Sequence, residues 1–136
     1  VTRLFTEMSP SYDIVNLVSS FGFSGFWRAQ CVGNLDLRPG NIVADLMSGS
    51  GECGSYLRRR ISPDGKIVSV DICPAMCKRQ QRRLDQHPAT PIEIRRENAL
   101  STGLPENSVD HVVSACGLKT FDASMWPDIW AKQDFA

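Results

Sequence analysis

Asp45-Leu46-Met47-Ser48-Gly49-Ser50-Gly51-Glu52-Cys53-Gly54 is the stretch on which the reading of this chain turns. It overlaps the β-rich run Ile42-Val43-Ala44-Asp45-Leu46 and leads into a helical stretch through Arg60. Glycines at such a strand-to-helix junction permit a tight turn and let backbone N–H groups approach a ligand at the helix start. Gly49, Gly51 and Gly54 satisfy G-x-G-x-x-G, a spacing that by itself does not separate one ligand from another. Charge narrows the choice. Pyrophosphate wants an uncompensated positive helix end, yet Glu52 stands in the loop and Asp45 closes the strand before it. A ligand bearing an ammonium and a sulfonium suits such a loop better than one bearing two phosphates.

Downstream, Ser62-Pro63-Asp64-Gly65 reads as a turn, with proline pre-set for one position and glycine free to take positive φ. Lys66 to Asp71 is a second strand. Pro74 opens a helix predicted to carry Met76, Cys77 and Leu84 inward and Lys78, Arg79, Arg82 and Arg83 outward. Pro91 to Arg95 reads as a third strand and Ser108 to Ser114 as a fourth. Strands alternating with helices argue for right-handed βαβ units and a parallel sheet, so the fold class is α/β. Asp71, at the second strand's end, is placed to accept both hydroxyls of a ribose, a role shared by NAD and S-adenosylmethionine sites. The loop Glu97-Asn98-Ala99-Leu100 offers a side-chain amide and a backbone N–H to bracket an adenine.

Upstream, Ile14, Leu17, Val18 and Phe21 recur at helical spacing after Ser9-Pro10, a capping residue followed by a first-turn proline. Gly22 and Gly25 interrupt that pattern before Phe26, Trp27 and Arg28, which predicts two short helices. Phe21, Phe23, Phe26 and Trp27 are either core or the lining of a channel for an apolar substrate.

Composition bounds the function. The chain has 136 residues, the length of one domain, and its 15 Lys and Arg balance 15 Asp and Glu. The chain is 42% hydrophobic, which with its glycines counted and its tyrosines left out becomes about 48%, the content of a globular domain, and this excludes a disordered or collagen-like chain. No apolar run reaches the roughly 18 residues of a membrane helix, and no charged-then-apolar leader precedes a small-residue cleavage site. Zero net charge removes any global argument for nucleic acid. Arg58-Arg59-Arg60 with Lys78, Arg79, Arg82, Arg83, Arg95 and Arg96 reads as a solvated helix face. The sharper reading, an RNA or anionic-membrane patch, lacks the interleaved aromatics that single-strand binders use. Cys31, Cys53, Cys73, Cys77 and Cys116 are odd in number and irregular in spacing, so free thiols and a reducing, cytoplasmic compartment are expected. No metal site is expected, since neither His87 nor His111 lies at a finger spacing from Cys73 and Cys77. His111 is expected to be structural and His87 solvated.

The combined motifs resemble the ubiquinone/menaquinone biosynthesis C-methyltransferases, a branch of the class I S-adenosylmethionine-dependent methyltransferases. Tyr12-Asp13, Asn16, Ser20-Phe21-Gly22 and Trp27 follow the order and spacing of that family's amino-terminal signature. Asp45 to Glu52 is similar to its glycine-rich motif, and Val70-Asp71-Ile72 to its acidic strand end. Asn98-Ala99, then Leu104-Pro105-Glu106-Asn107-Ser108-Val109-Asp110, resembles its third and fourth motifs, and Gly117-Leu118-Lys119 closes the match. The resemblance implies a Rossmann-like core over 36–121, an N-terminal helical lid over 1–35 and a tail over 122–136. It implies S-adenosyl-L-methionine as cofactor, with Asp45, Gly49, Ser50 and Gly51 along its methionine end and Asp71, with Ile72 beside it, at the ribose. Asn98 and Ala99 would flank the adenine, Tyr12 would close over the site, and Ala115 stands where a serine usually follows the fourth strand. The implied chemistry is methylation of an electron-rich ring carbon in a small-molecule acceptor. Lys119 and Thr120 replace an arginine and an asparagine that help activate the quinol, which makes Lys119 the catalytic candidate and leaves the acceptor open. Ser24 stands where the signature carries a histidine, and Ser48 where a smaller glycine or a cysteine is usual.

Class I sheets continue past the fourth strand, and the family's later lysine-proline-glycine turn has no counterpart here. A bare sheet edge predicts either a homo-oligomer or a missing C-terminal half, with peripheral membrane contact a further expectation. Two other functions fit parts of the sequence. The glycine fingerprint also suits an NAD-linked oxidoreductase, and the short sheet suits a catalytically silent binding or assembly module.

Overall fold

The computed structural model describes residues 24–87 and 91–115. In chain order they form α1 (Ser24–Gly33), β1 (Ile42–Leu46), α2 (Gly54–Ile61), β2 (Lys66–Val70), α3 (Pro74–Gln86), β3 (Ile92–Arg95) and β4 (His111–Val113). The four strands make one parallel sheet in the order β3-β2-β1-β4. The chain therefore lays strands outward from β1 to β3 and then returns to the other side of β1. That reversal opens a crevice at the carboxyl ends of β1 and β4, the place where open α/β sheets bind ligands.

β1 and β2 are buried along nearly their whole length, as expected of strands covered on both faces. Val43, Ile67 and Val113 pack on one face with Leu57 and Ile61 of α2 and Val32 of α1. Ala44, Leu46, Val68 and Val70 form the other face, covered by Ala99, Leu100, Leu104 and Val109. The strand and helix positions follow the sequence reading closely, with four differences. The third and fourth strands are shorter than expected, Ile92–Arg95 and His111–Val113. The alternation breaks between them, because the connection over 96–110 contains no helix. Gly103 and Asn107 adopt left-handed backbone there and Pro105 lies between them, a combination that stops a helix from propagating. Gly25 does not interrupt a helix but sits inside α1. The helix expected before it lies outside the described residues. Phe26 and Trp27 are 63% and 66% exposed, so neither belongs to the core.

Gly65 is needed for a different reason from the one expected. Its φ is not positive; instead a Cβ there would lie 2.5 Å from the Ile61 carbonyl oxygen. Gly65 N–H donates to that same carbonyl at 3.0 Å, so the turn fits tightly over the end of α2. Gly65→Ala should destabilise the fold by about 2 kcal/mol, the scale of an overpacked core site. Urea unfolding checks this, and an unchanged midpoint would contradict it.

Candidate functional site

The site is built where β1 and β2 end. Met47, the first residue past β1, is left-handed (φ 55°), as are Gly49 (φ 57°) and Gly51 (φ 77°). This alternation curls the backbone over the strand ends. Ser48 N–H donates to the Val70 carbonyl at 3.1 Å, which ties the start of the loop to the end of β2. Asp71 secures the next residue. Its Oδ2 accepts from Gly49 N–H and its Oδ1 from Cys73 N–H, both at 2.8 Å. One carboxylate therefore joins the glycine loop to the start of α3.

Asp45 and Ser69 are register partners on β1 and β2, and both are buried. Asp45 Oδ2 has no hydrogen-bond partner. Burial, and next the negative charge of Asp71, push the Asp45 carboxyl up from 3.8 to about 7, while Arg28 pulls the other way. A cavity of about 30 Å³ adjoins this group, lined among others by Asp45, Met47, Gly49, Ser50, Arg28 and Ala115. That space suits a water-sized or ammonium-sized group. A buried carboxylate oxygen without a donor fits the cationic amino group of an amino-acid-bearing cofactor, whose N–H would supply the missing bond.

Glu52 lies beside Asp45 in the lining of this cavity, but its charge is paired. Arg28, itself buried, forms an ion pair with Glu52, and Ser50 Oγ donates to Glu52 Oε1 at 3.2 Å. Glu52 is thus neutralised by α1 and links that helix to the glycine loop. The remaining anionic character comes from Asp45 and Asp71. Two residues outside the sequence-derived set, Arg28 and Gln80, are buried beside the loop. Each had a detectable signal: Arg28 is a charge at the edge of an aromatic segment, and Gln80 falls between Met76 and Leu84 at intervals of one helical turn.

The other candidates lie around the same sheet end. Ile72, next to Asp71, is 52% exposed. Asn98 Oδ1 accepts from Leu100 N–H at 3.0 Å, and Ala99 is half-buried against the second sheet face. Tyr12 and Lys119 lie outside the described residues. His111 is half-buried in β4, paired in register with Val43, and His87 is exposed at the end of α3. Cys53 and Cys73 are buried, and burial raises the pKa of the half-buried Cys77 thiol. Among the described residues no cluster of side chains could hold a metal ion, and no helix is long and apolar enough to cross a membrane. A larger groove, about 360 Å³, runs between α2 and α3, with Gly51 and Gln80 on its wall.

Residues 1–125 match the ubiE/COQ5 methyltransferase family. The chain belongs to that family. This ubiE/COQ5 member is 30% identical over 120 residues to the ubiquinone/menaquinone biosynthesis C-methyltransferase UbiE of Hydrogenovibrio crunogenus, covering 88% of this chain and 47% of that protein. It is 28% identical over 119 residues to the demethylmenaquinone methyltransferase of Listeria welshimeri, covering 88% and 50%. The chain spans about half the length of these curated relatives. Among solved structures it is similar to a SAM-dependent methyltransferase from Aquifex aeolicus, with a TM-score of 0.58 at 21% identity over 64% of this chain and 46% of that one. Phosphoethanolamine N-methyltransferase 1 of Haemonchus contortus gives a TM-score of 0.67 at 19% identity over 83% and 24%. At such identities the likeness concerns the fold, and it matches the expected Rossmann-like methyltransferase sheet.

Proposed function

We propose that this chain forms the cofactor-binding part of a class I S-adenosylmethionine-dependent methyltransferase that methylates a ring carbon of a quinol-like or other small aromatic acceptor. The observation that carries the reading is Asp45: a buried carboxylate with an unpartnered oxygen beside an ammonium-sized cavity at the sheet's switch point. Dinucleotide pyrophosphate finds no complement there, because the Asp45 carboxylate borders the glycine loop where its charge would fall. The cofactor, when bound, supplies an electrophilic methyl on a sulfonium. The chain's residues bind and orient. Asp45 accepts the ammonium, and Gly49, Ser50 and Gly51 line the amino-acid end. Each Asp71 oxygen accepts one backbone N–H and keeps acceptor capacity for a ribose hydroxyl. Ile72, Asn98 and Ala99 flank the adenine, Ala115 borders the cavity and Tyr12 closes over it. Lys119 favours phenolate character in the acceptor. Catalysis then rests on positioning and exclusion of water.

The family membership supports the reaction class, and the quinone-pathway names of the relatives support the acceptor class. Departures at Lys119 and Thr120 favour an acceptor other than ubiquinol. Contact with a membrane surface and completion of the sheet, by a second copy or by further chain, belong to the same proposal.

Calorimetric titration with S-adenosylhomocysteine, then with NAD, tests it. Micromolar binding of the first alone is expected. Binding of NAD at the same site would instead favour the oxidoreductase. A folded chain that binds neither would be a silent module.

A further inference from the structure

Gln80 is 3% exposed, yet it lies on the stripe of α3 that otherwise buries Met76 and half-buries Leu84. An amide at such a position is unfavourable unless its hydrogen bonds are met. Its Nε2 donates to Ser69 Oγ at 2.6 Å, and Ser69 is fully buried on β2 as the register partner of Asp45. Its Oε1 lies 3.5 Å from Ser48 Oγ, the outer limit of a hydrogen bond from the glycine loop. The amide also backs onto Gly51. A Cβ at Gly51 would fall 2.6 Å from both Gln80 Cγ and Nε2. The loop is thus tied at its front, where Asp71 holds Gly49, and stopped at its back by Gln80. An apolar residue would pack α3 on β2 as well, so packing alone does not account for a buried amide with a buried hydroxyl partner.

We propose that Gln80 is a positioning residue for the cofactor: anchored on Ser69, it sets where the Gly49–Gly51 backbone stands relative to Asp45, and so tunes binding of the cofactor's amino-acid end. This rests on the functional reading above, and the test separates the two.

Gln80→Leu keeps the volume and removes the amide, and Gln80→Glu keeps the shape and removes the donor. Each is titrated with S-adenosylhomocysteine and with 5′-methylthioadenosine, which lacks the amino-acid end. For Gln80→Leu the first ligand should bind about tenfold more weakly, the scale of one lost buried hydrogen bond, and the second within about threefold of wild type. Equal losses for both ligands, or no loss for either, would overturn the proposal. Gly51→Ala supplies an independent check. Its effect on S-adenosylhomocysteine affinity should be at least about fivefold smaller in a Gln80→Ala background, where the Cβ no longer meets the amide, and additivity of the two changes would count against the contact. Amide hydrogen exchange without ligand keeps the inference testable if the wild type binds neither compound. Gln80→Leu should speed exchange at Gly49–Gly51 and leave Val68–Val70 unchanged. Unaltered loop exchange would refute the positioning role whatever the ligand.

Discussion

Asp45→Asn should stabilise the fold at pH 8 while removing most of its affinity for S-adenosylhomocysteine. The two effects have one cause. A carboxyl that titrates near 3.8 when unfolded and at about 7 when folded binds its proton more tightly in the native state. Between these values the folded protein holds more protons than the unfolded chain, so stability falls as pH rises from about 4 to 7 and is level above. The ionised carboxylate at pH 8 therefore carries a penalty on the order of 4 kcal/mol. Asparagine removes the charge but leaves a buried amide short of partners, which costs about 1–3 kcal/mol. A net gain of about 2 kcal/mol is expected at pH 8, falling through zero within the range and reversing to a loss of about 2 kcal/mol at pH 4, where Asp45 is itself neutral. Thermal unfolding across that range reads it, and a less stable variant at pH 8 would mean that the carboxylate has a partner.

Ligand affinity moves oppositely. An ammonium prefers the ionised Asp45, so wild-type affinity should drop about tenfold per pH unit below 7. It should decline again at strongly alkaline pH, as the ligand's own amino group loses its proton. At pH 6, binding should release nearly one proton, visible as a dependence of the calorimetric heat on buffer ionisation enthalpy. Asp45→Asn should abolish that release and weaken binding about 100-fold, the scale of a lost charge-assisted hydrogen bond. Proton release that persists in the variant would move the titrating group elsewhere.

Asp71→Ala has the second large effect, again on both fold and site. The variant loses the acceptor for Gly49 N–H and for Cys73 N–H, two bonds to a charged group. Partial rescue by water leaves an expected destabilisation of about 3 kcal/mol. The glycine loop loses its front tie and the ligand its ribose acceptor, so affinity for S-adenosylhomocysteine should fall more than about 100-fold. Removing Asp71 also removes a negative charge that helps raise Asp45. The pH below which wild-type binding weakens should therefore shift downward in whatever binding remains. Affinity within about threefold of wild type would exclude Asp71 from the ribose site.

Several features were legible in the sequence because they are local. β-Branched residues at Ile42-Val43 and Ile67-Val68, glycines at 49 and 51, and Pro74 at a helix start each fix backbone geometry within a few residues. Their succession implied a parallel sheet. Gly103 and Pro105 mark the break between β3 and β4 locally, whereas the left-handed backbone at Asn107, a residue other than glycine, was less legible. The pairing of Glu52 was not legible either, because its partner, Arg28, is distant in the chain and meets it only once α1 packs against α2.

The sequence by itself determined the α/β class, the glycine loop after β1 and the carboxylates at the two strand ends, since short-range pattern dictates all three. Only the tertiary structure decided which of those groups are charged, partnered or exposed. Burial and Asp71 raise Asp45, Arg28 neutralises Glu52, and Ser69 anchors Gln80 behind Gly51. Proton affinity and hydrogen bonding depend on what surrounds a group in space, and here those neighbours come from separate elements of the fold.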